Sequence, residues 1–276
     1  MTIHAALNLV LLDYRVKGKR SLPDAAARVR HLKRLLKDGE LARVTCQKLL
    51  VYASARQEER VQGATINREI AMLRRACTLA KIAWPVPEWE KLPESEPRQG
   101  RIDGEQYRNL VGELAPWHAQ VARFLYYTGW RVNEALGLTW RDVDLEAGTL
   151  RLPARLSKNK TARTIPIIPQ LRAVLEAQAE TTRSEFVFHY ADGRAISYFG
   201  FYHAFCAART RAGVKRAIPH DFRRTAATKL VKEAKVDRRT AMRMTGHLTE
   251  SAFVRYEIED DAELRAAAAK FSKVVA

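Results

Sequence analysis

The sequence predicts a mainly α-helical protein with one small antiparallel β-sheet, an α+β chain built in two helical parts. Three observations carry this. Apolar residues recur at spacings of three and four over most of the 276 positions. Only the stretch 149–168 shows short alternating runs around a polar turn, as a small sheet requires. Between 85 and 101 the helical pattern stops, and Pro85, Pro87, Pro93 and Pro97 stand among charged residues, the composition of a linker. The expected organisation is therefore a helical domain over 1–84, a linker over 85–101 and a larger domain over 102–276.

In chain order, helices are expected over 6–14, 23–36, 45–57 and 64–83, separated by polar or Gly-containing breaks. In the last of them Ile66, Ile70, Leu73, Ala76, Leu79 and Ala80 share a face. Arg68, Arg74 and Arg75 lie around it and are candidates for contact with a polyanion. Helices over 104–114 and 117–128 follow, the second closed by Gly129 in a capping position, and another begins near Arg131. Short strands are expected at 149–152, 155–157 and 164–168, with a turn at Asn159 and Lys160. Helices resume over 169–180, 198–212, from Pro219 through Val231, over 238–245, and over 260–271 with an acidic start.

Lys and Arg number 48 against 31 Asp and Glu, a formal charge of +17 spread along the whole chain. Such an excess points to a long polyanion, double-stranded DNA or RNA, as partner. Cys46, Cys77 and Cys206 lie far apart in apolar helical contexts without metal-ligand spacing, so they are expected to be reduced core residues of a cytoplasmic protein. No apolar run is long enough to cross a bilayer and no signal peptide opens the chain, so no membrane association is expected.

The chemistry concentrates between Pro219 and Tyr256. His220 and Arg223 stand three apart at a helix start and can hold the same anion. His247 follows the Gly246 that ends the next helix, and Tyr256 lies nine residues beyond. Upstream, Arg131 and Glu134 are one turn apart, readable as an anion clamp or as a surface ion pair of little worth. Lys158 sits at the tip of the expected hairpin, where exposed lysines are common.

Taken together and in order, these residues resemble the tyrosine recombinases, also called phage integrases, which share a catalytic core with type IB topoisomerases. The resemblance runs from about Leu41 to Ala267. It is carried by Thr128-Gly129-Trp130-Arg131-Val132-Asn133-Glu134-Ala135-Leu136, by Ser157-Lys158-Asn159-Lys160-Thr161, and by His220-Asp221-Phe222-Arg223-Arg224 with Thr245-Gly246-His247 and Arg255-Tyr256. It implies that Arg131, Lys158, His220, Arg223, His247 and Tyr256 are catalytic and that Glu134 supports Arg131, with Lys160 a less favoured register for the lysine.

On that resemblance the helical domain over 1–84 is a core-binding domain that closes, with the catalytic domain over 102–276, as a clamp on duplex DNA. The implied activity is site-specific strand cutting and rejoining through a 3′-phosphotyrosyl link at Tyr256, integrating or excising a mobile element. His220 handles the tyrosine proton, and Lys158 protonates the 5′ oxygen that leaves. One phosphoester replaces another, so no cofactor, nucleotide or metal is expected. A homotetramer on DNA, with an accessory bending or directionality protein, is the implied assembly in a bacterial cytoplasm. The helix over 260–271 is expected to pack at home or on a neighbouring protomer. The few residues before Ala5 leave no room for an arm-binding domain, so a simple recombinase is expected, or one whose arm domain lies outside this sequence. Relaxation of a single duplex, as by a topoisomerase, and DNA binding by a decayed recombinase are the competing readings.

Overall fold

A computed structural model describes residues 1–96, 98, 100–157 and 160–254, together with 265, 268, 269, 271 and 272. The chain divides into two compact units, Met1–Pro97 and Arg98–Ala276.

The first unit holds helices α1 (Ile3–Val16), α2 (Leu22–Leu35), α3 (Cys46–Glu58) and α4 (Gly63–Leu79). Thr2 and Thr45 cap α1 and α3 by accepting the amides of Ala5 and Lys48, which satisfies donors that a helix start leaves open. Helix α1 packs against α2 and α4. Their apolar faces meet in one core that includes Leu7, Val10, Leu32, Leu49, Ile66 and Leu73. Helix α4 stops at Leu79 and not at 83 as expected, because the chain turns back through Lys81 at a φ of 56°. The proline-containing stretch after it packs on this same core through Val86, Trp89 and Leu92. Asn67 there accepts the Leu92 amide and donates to the Leu92 carbonyl and to Glu94, each at 2.9 Å.

The second unit begins with α5 (Gly104–Gly112), α6 (Pro116–Thr128) and the short α7 (Val132–Leu136). Asp103 and Gln106 close a capping box on α5. The sheet follows as β1 (Val143–Asp144), β2 (Thr149–Leu152) and β3 (Arg163–Pro166), antiparallel in that order. Leu150 pairs with Val143 on one side and Ile165 on the other, so Leu150, Leu152 and Ile165 face the core while Arg151 and Thr164 face out.

The expected strand over 155–157 does not form. Pro153 ends β2, and its carbonyl accepts the amides of Leu156 and Ser157, which folds those residues into a turn. The partner of β2 on the other side is the two-residue β1, too short to show a period in the sequence.

Then come α8 (Pro169–Glu180), α9 (Tyr198–Arg211), α10 (His220–Thr228), α11 (Arg238–Thr245) and α12 (Glu250–Val254). Helix α10 does not run on through Val231 as an α-helix. Residues Lys229–Glu233 form a π-helical turn in which the Ala234 amide reaches the Lys229 carbonyl. A large core around Phe124, Trp130, Phe188, Phe201, Phe205 and Phe222 fills this unit. Ala227, Ala241 and Phe253 form a smaller cluster where α10, α11 and α12 meet.

Of the three free cysteines expected in cores, only Cys77 is buried. Cys46 starts α3 and Cys206 lies at the edge of α9's buried face, and both are half-buried. Among the described residues no helix is long and apolar enough to cross a membrane. The helix expected over 260–271 falls largely outside the described residues, and Phe271 is exposed.

Candidate active site

The site is built on the turn that ends α6. Gly129 adopts a φ of 64°, a left-handed cap that glycine takes without a Cβ penalty. Lack of a side chain matters twice here, since a Cβ at this position would stand 2.8 Å from the Cβ of Ala226 on α10. The helix carrying His220 and Arg223 can thus approach the turn closely. Trp130 follows, 1% exposed and edge-on to Phe124, and fixes the chain before Arg131 leaves the core.

Arg131 is the N-cap of α7 and its side chain keeps 26% of its surface open. Glu134, one turn on and 1% exposed, accepts Arg131 Nη1 at 2.7 Å through Oε1 and the Arg131 amide at 3.1 Å through Oε2. Its Oε2 also accepts Arg163 Nη2 at 2.8 Å, from the first residue of β3. Burial pushes the Glu134 carboxyl up, but the charges and hydrogen bonds of Arg163 and Arg131 outweigh it and hold the group below its ordinary range. For Arg163 burial wins over Glu134 and pulls the guanidinium down from its usual value, although arginine starts high enough to remain a cation.

Helix α10 supplies the other wall. Arg223 is 1% exposed and donates Nε to His247 Nε2 at 3.2 Å, Nη1 to the carbonyls of Gly129 and Thr245, and Nη2 to the carbonyl of Gly246 at 3.1 Å. Gly246, the left-handed C-cap of α11, aims those last two carbonyls inward. His247 Nδ1 stands 2.7 Å from Thr245 Oγ1, whose hydroxyl donates to the Ala241 carbonyl. That ordering makes His247 Nδ1 the donor and Nε2 the acceptor. Phe253 lies edge-on to the His247 ring, 5.1 Å between centroids, and closes it from below.

Both imidazoles are held neutral. Burial is the largest cause for His247, followed by the charges of Arg223, Arg131, His220 and Arg163, and together they bring it to about 3. His220 falls to about 4, by burial and then by Arg223, Arg224 and Arg131. The His220 residue still offers surface to solvent, so the ring of guanidinium groups is the firmer part of that cause. A neutral imidazole among cations accepts a proton poorly in isolation, and well once an anion joins the cluster.

The first turn of α10 is pinned by Asp221, which is fully buried. It accepts Arg98 Nη2 and Arg224 Nη1, each at 2.7 Å, and the Ile218 amide at 2.9 Å.

The structure thus brings Arg131, Glu134, His220, Arg223 and His247 into one corner of the second unit. Lys158 and Tyr256 lie outside the described residues. In the first unit Arg68 and Arg74 are exposed, whereas Arg75 reaches Asp13 at 3.4 Å. Sequence reasoning overlooked Arg163, Asp221 and Trp130. Only Asp221 had a local signal, an acid in the first turn of a helix. Among the described residues no group of three His, Cys, Asp or Glu side chains could hold a metal ion.

Comparison with known proteins gives the same outline. The shufflon-specific DNA recombinase of Escherichia coli is 23% identical over 216 residues, 75% of this chain and 54% of that protein. Tyrosine recombinase XerD of Halalkalibacterium halodurans is 31% identical over 134 residues, 45% of this chain and 43% of its own. The chain therefore spans about half the length of these curated relatives.

Among solved structures, the Tn1549 transposon integrase in complex with transposon right end DNA superposes with a TM-score of 0.82 at 16% identity, over 100% of both chains. A lambda integrase dimer bound to a COC′ core site gives 0.79 at 19% identity, over 94% of this chain and 96% of that one. At those identities the likeness establishes the fold. The profile of the phage integrase family matches residues 100–263, which contain every residue of the corner described above, and the chain belongs to that family.

Proposed function

We propose that the protein is a tyrosine-type site-specific DNA recombinase that integrates or excises a mobile element. The observation that carries the reading is the corner itself, where Arg131 keeps an open edge beside Arg223 and two neutral imidazoles. A phosphodiester is anionic, and a tyrosine of ordinary pKa costs about 4 kcal/mol to ionise at pH 7. Fixed positive charge offsets both obstacles, and it strengthens as charge builds on the five-coordinate phosphorus.

Arg131 offers its open guanidinium edge to the non-bridging oxygens. Arg223 is committed to carbonyls and to His247, so it forms the charged wall and sets the His247 tautomer. His220 receives the proton of Tyr256 as the phenolic oxygen attacks phosphorus. Lys158 gives a proton to the 5′ oxygen as the phosphorus–oxygen bond breaks. The product is a 3′-phosphotyrosyl bond and a free 5′ hydroxyl, and attack by another 5′ hydroxyl reverses the step without nucleotide or metal. The second unit is the catalytic domain, and the first is a core-binding domain whose exposed Arg68 and Arg74 track phosphates. The working assembly is a homotetramer on two duplexes in a bacterial cytoplasm, assisted by an accessory bending or directionality protein.

The test uses nicked suicide duplexes tiled across the DNA flanking the gene. A covalent protein–DNA adduct is expected on one of them and none with Tyr256→Phe. An adduct that survives in the Phe variant would unseat Tyr256, and no adduct on any duplex would unseat the recombinase reading.

A further inference from the structure

Arg163 belongs to no part of the site as read from the sequence, yet it touches three elements that carry site groups. Its backbone is fixed by the sheet, where it pairs with Leu152. Its guanidinium carbon lies 4.7 Å from the centre of the Trp130 ring, just before Arg131. Nη2 reaches Glu134 on α7. The guanidinium also lies over Gly246, in the space that a Cβ there would need, one residue before His247. The side chain is 12% exposed, and its buried Nε has no hydrogen-bond partner among the described residues. A pocket of about 500 Å³ opens beside it, lined among others by Ser157, Thr161, Arg243 and His247.

Packing alone gives a poor account of this residue. A cation buried close to Arg131, and near enough to His247 to lower its pKa, carries a desolvation cost and like-charge repulsion that an apolar side chain would avoid. What only a cation supplies is a second hold on Glu134. Oε1 takes the Arg131 guanidinium while Oε2 is drawn to Arg163, so the carboxylate plane has one orientation and Arg131 inherits it.

We propose that Arg163 is a positioning residue for strand cleavage: acting through Glu134, it fixes the direction in which the Arg131 guanidinium meets the scissile phosphate. The inference rests on the recombinase reading. A misdirected donor slows the chemical step without loosening DNA, because one arginine contributes little to the total of phosphate contacts.

The experiment compares Arg163→Gln, Arg163→Met and Arg163→Lys with wild type in the full chain. Adduct formation is followed in single turnover at saturating protein on the nicked duplex that wild type cleaves, with DNA affinity by anisotropy and thermal unfolding alongside. The expected result is cleavage about 10- to 100-fold slower in both neutral variants, DNA affinity within about twofold, and recovery to within about fivefold in Arg163→Lys.

In a Glu134→Gln background, Arg163→Gln should add little further loss. A duplex with sulfur at the bridging 5′ position, whose leaving group needs no proton, should leave the defect in place. Wild-type rates in the neutral variants would overturn the proposal. So would weakened DNA binding in place of slowed cleavage, additive loss with Glu134→Gln, or rescue by the sulfur leaving group. Collapse of the fold in both neutral variants would overturn it as well. Absence of an adduct with wild type itself would instead bring down the recombinase reading.

Discussion

Each unit buries one glutamate among arginines, and the two clusters differ in which way the cations look. In the first unit Glu69, 1% exposed, accepts Tyr52 Oη at 2.7 Å and Arg56 through Nε at 3.0 Å and Nη2 at 2.8 Å. Arg56 is 4% exposed and also reaches Glu59, which pairs with Arg34 at 2.5 Å. Acids and bases balance there, every donor returns to protein, and burial pushes the Tyr52 phenol up so that it stays a neutral donor.

In the second unit Glu134 is equally buried, but Arg131 keeps a quarter of its side chain in the open, and Arg163, Arg223 and Arg224 add positive charge around it. A buried carboxylate alone therefore marks no function. The distinction lies in whether the cation it holds has an edge left for something outside the protein, and whether the surrounding charge is balanced or in excess.

The largest expected effect concerns stability. Glu69→Ala strands Arg56 and the Tyr52 hydroxyl, and the free energy of unfolding in urea should fall by about 3–5 kcal/mol while cleavage at saturating protein, below the transition, keeps its wild-type rate. Next comes Arg131→Ala, for which adduct formation should slow about a hundredfold or more with little change in the melting temperature. If Glu69→Ala slowed cleavage as much as Arg131→Ala, or Arg131→Ala unfolded the protein as readily as Glu69→Ala, the contrast between the clusters would be lost.

The smallest effect is one of pH. A histidine whose folded pKa lies near 3 binds fewer protons folded than unfolded at any pH between that value and 6.5. The stability tied to neutral His247 is therefore complete above pH 6.5 and drains as pH falls through that window. Urea unfolding should lose about 1–2 kcal/mol between pH 7 and pH 5 on this account, and His247→Gln should flatten the slope. The first unit has no counterpart there. Glu59, lowered by its hydrogen bonds to Arg34 and then Arg56, contributes above its ordinary value of 4.5 and loses that contribution only as pH drops below it.

Much of this was legible before any coordinates. The pair Arg131 and Glu134, and the pair His220 and Arg223, are three apart on helices, so their adjacency is written in spacing alone. Gly129 and Gly246 announce left-handed caps because little else tolerates them. Arg163 is of another kind. It meets Glu134 across 29 residues, from a strand onto a helix, and no local period encodes such a pair. The strand expected at 155–157 gave way to a turn because Pro153 cannot donate to a ladder, and β1 is two residues long. The π-helical turn after α10 was likewise hidden, since Leu230 and Val231 suit the apolar face of an ordinary helix as well as they suit the small cluster they join.

That π-helical turn has a genetic consequence. It accommodates one residue more than a regular turn, so Lys229–Glu233 is a place where the reading of the helix is already out of phase. Deleting one codon there would let α10 run on as a plain helix and would rotate all that follows by about 100°. Leu230 and Val231 would leave the cluster with Ala241 and Phe253, and Gly246 and His247 would turn away from Arg223. The segment is short, partly exposed and remote in sequence from the charged residues, yet its length in codons sets whether the two halves of the site share an address.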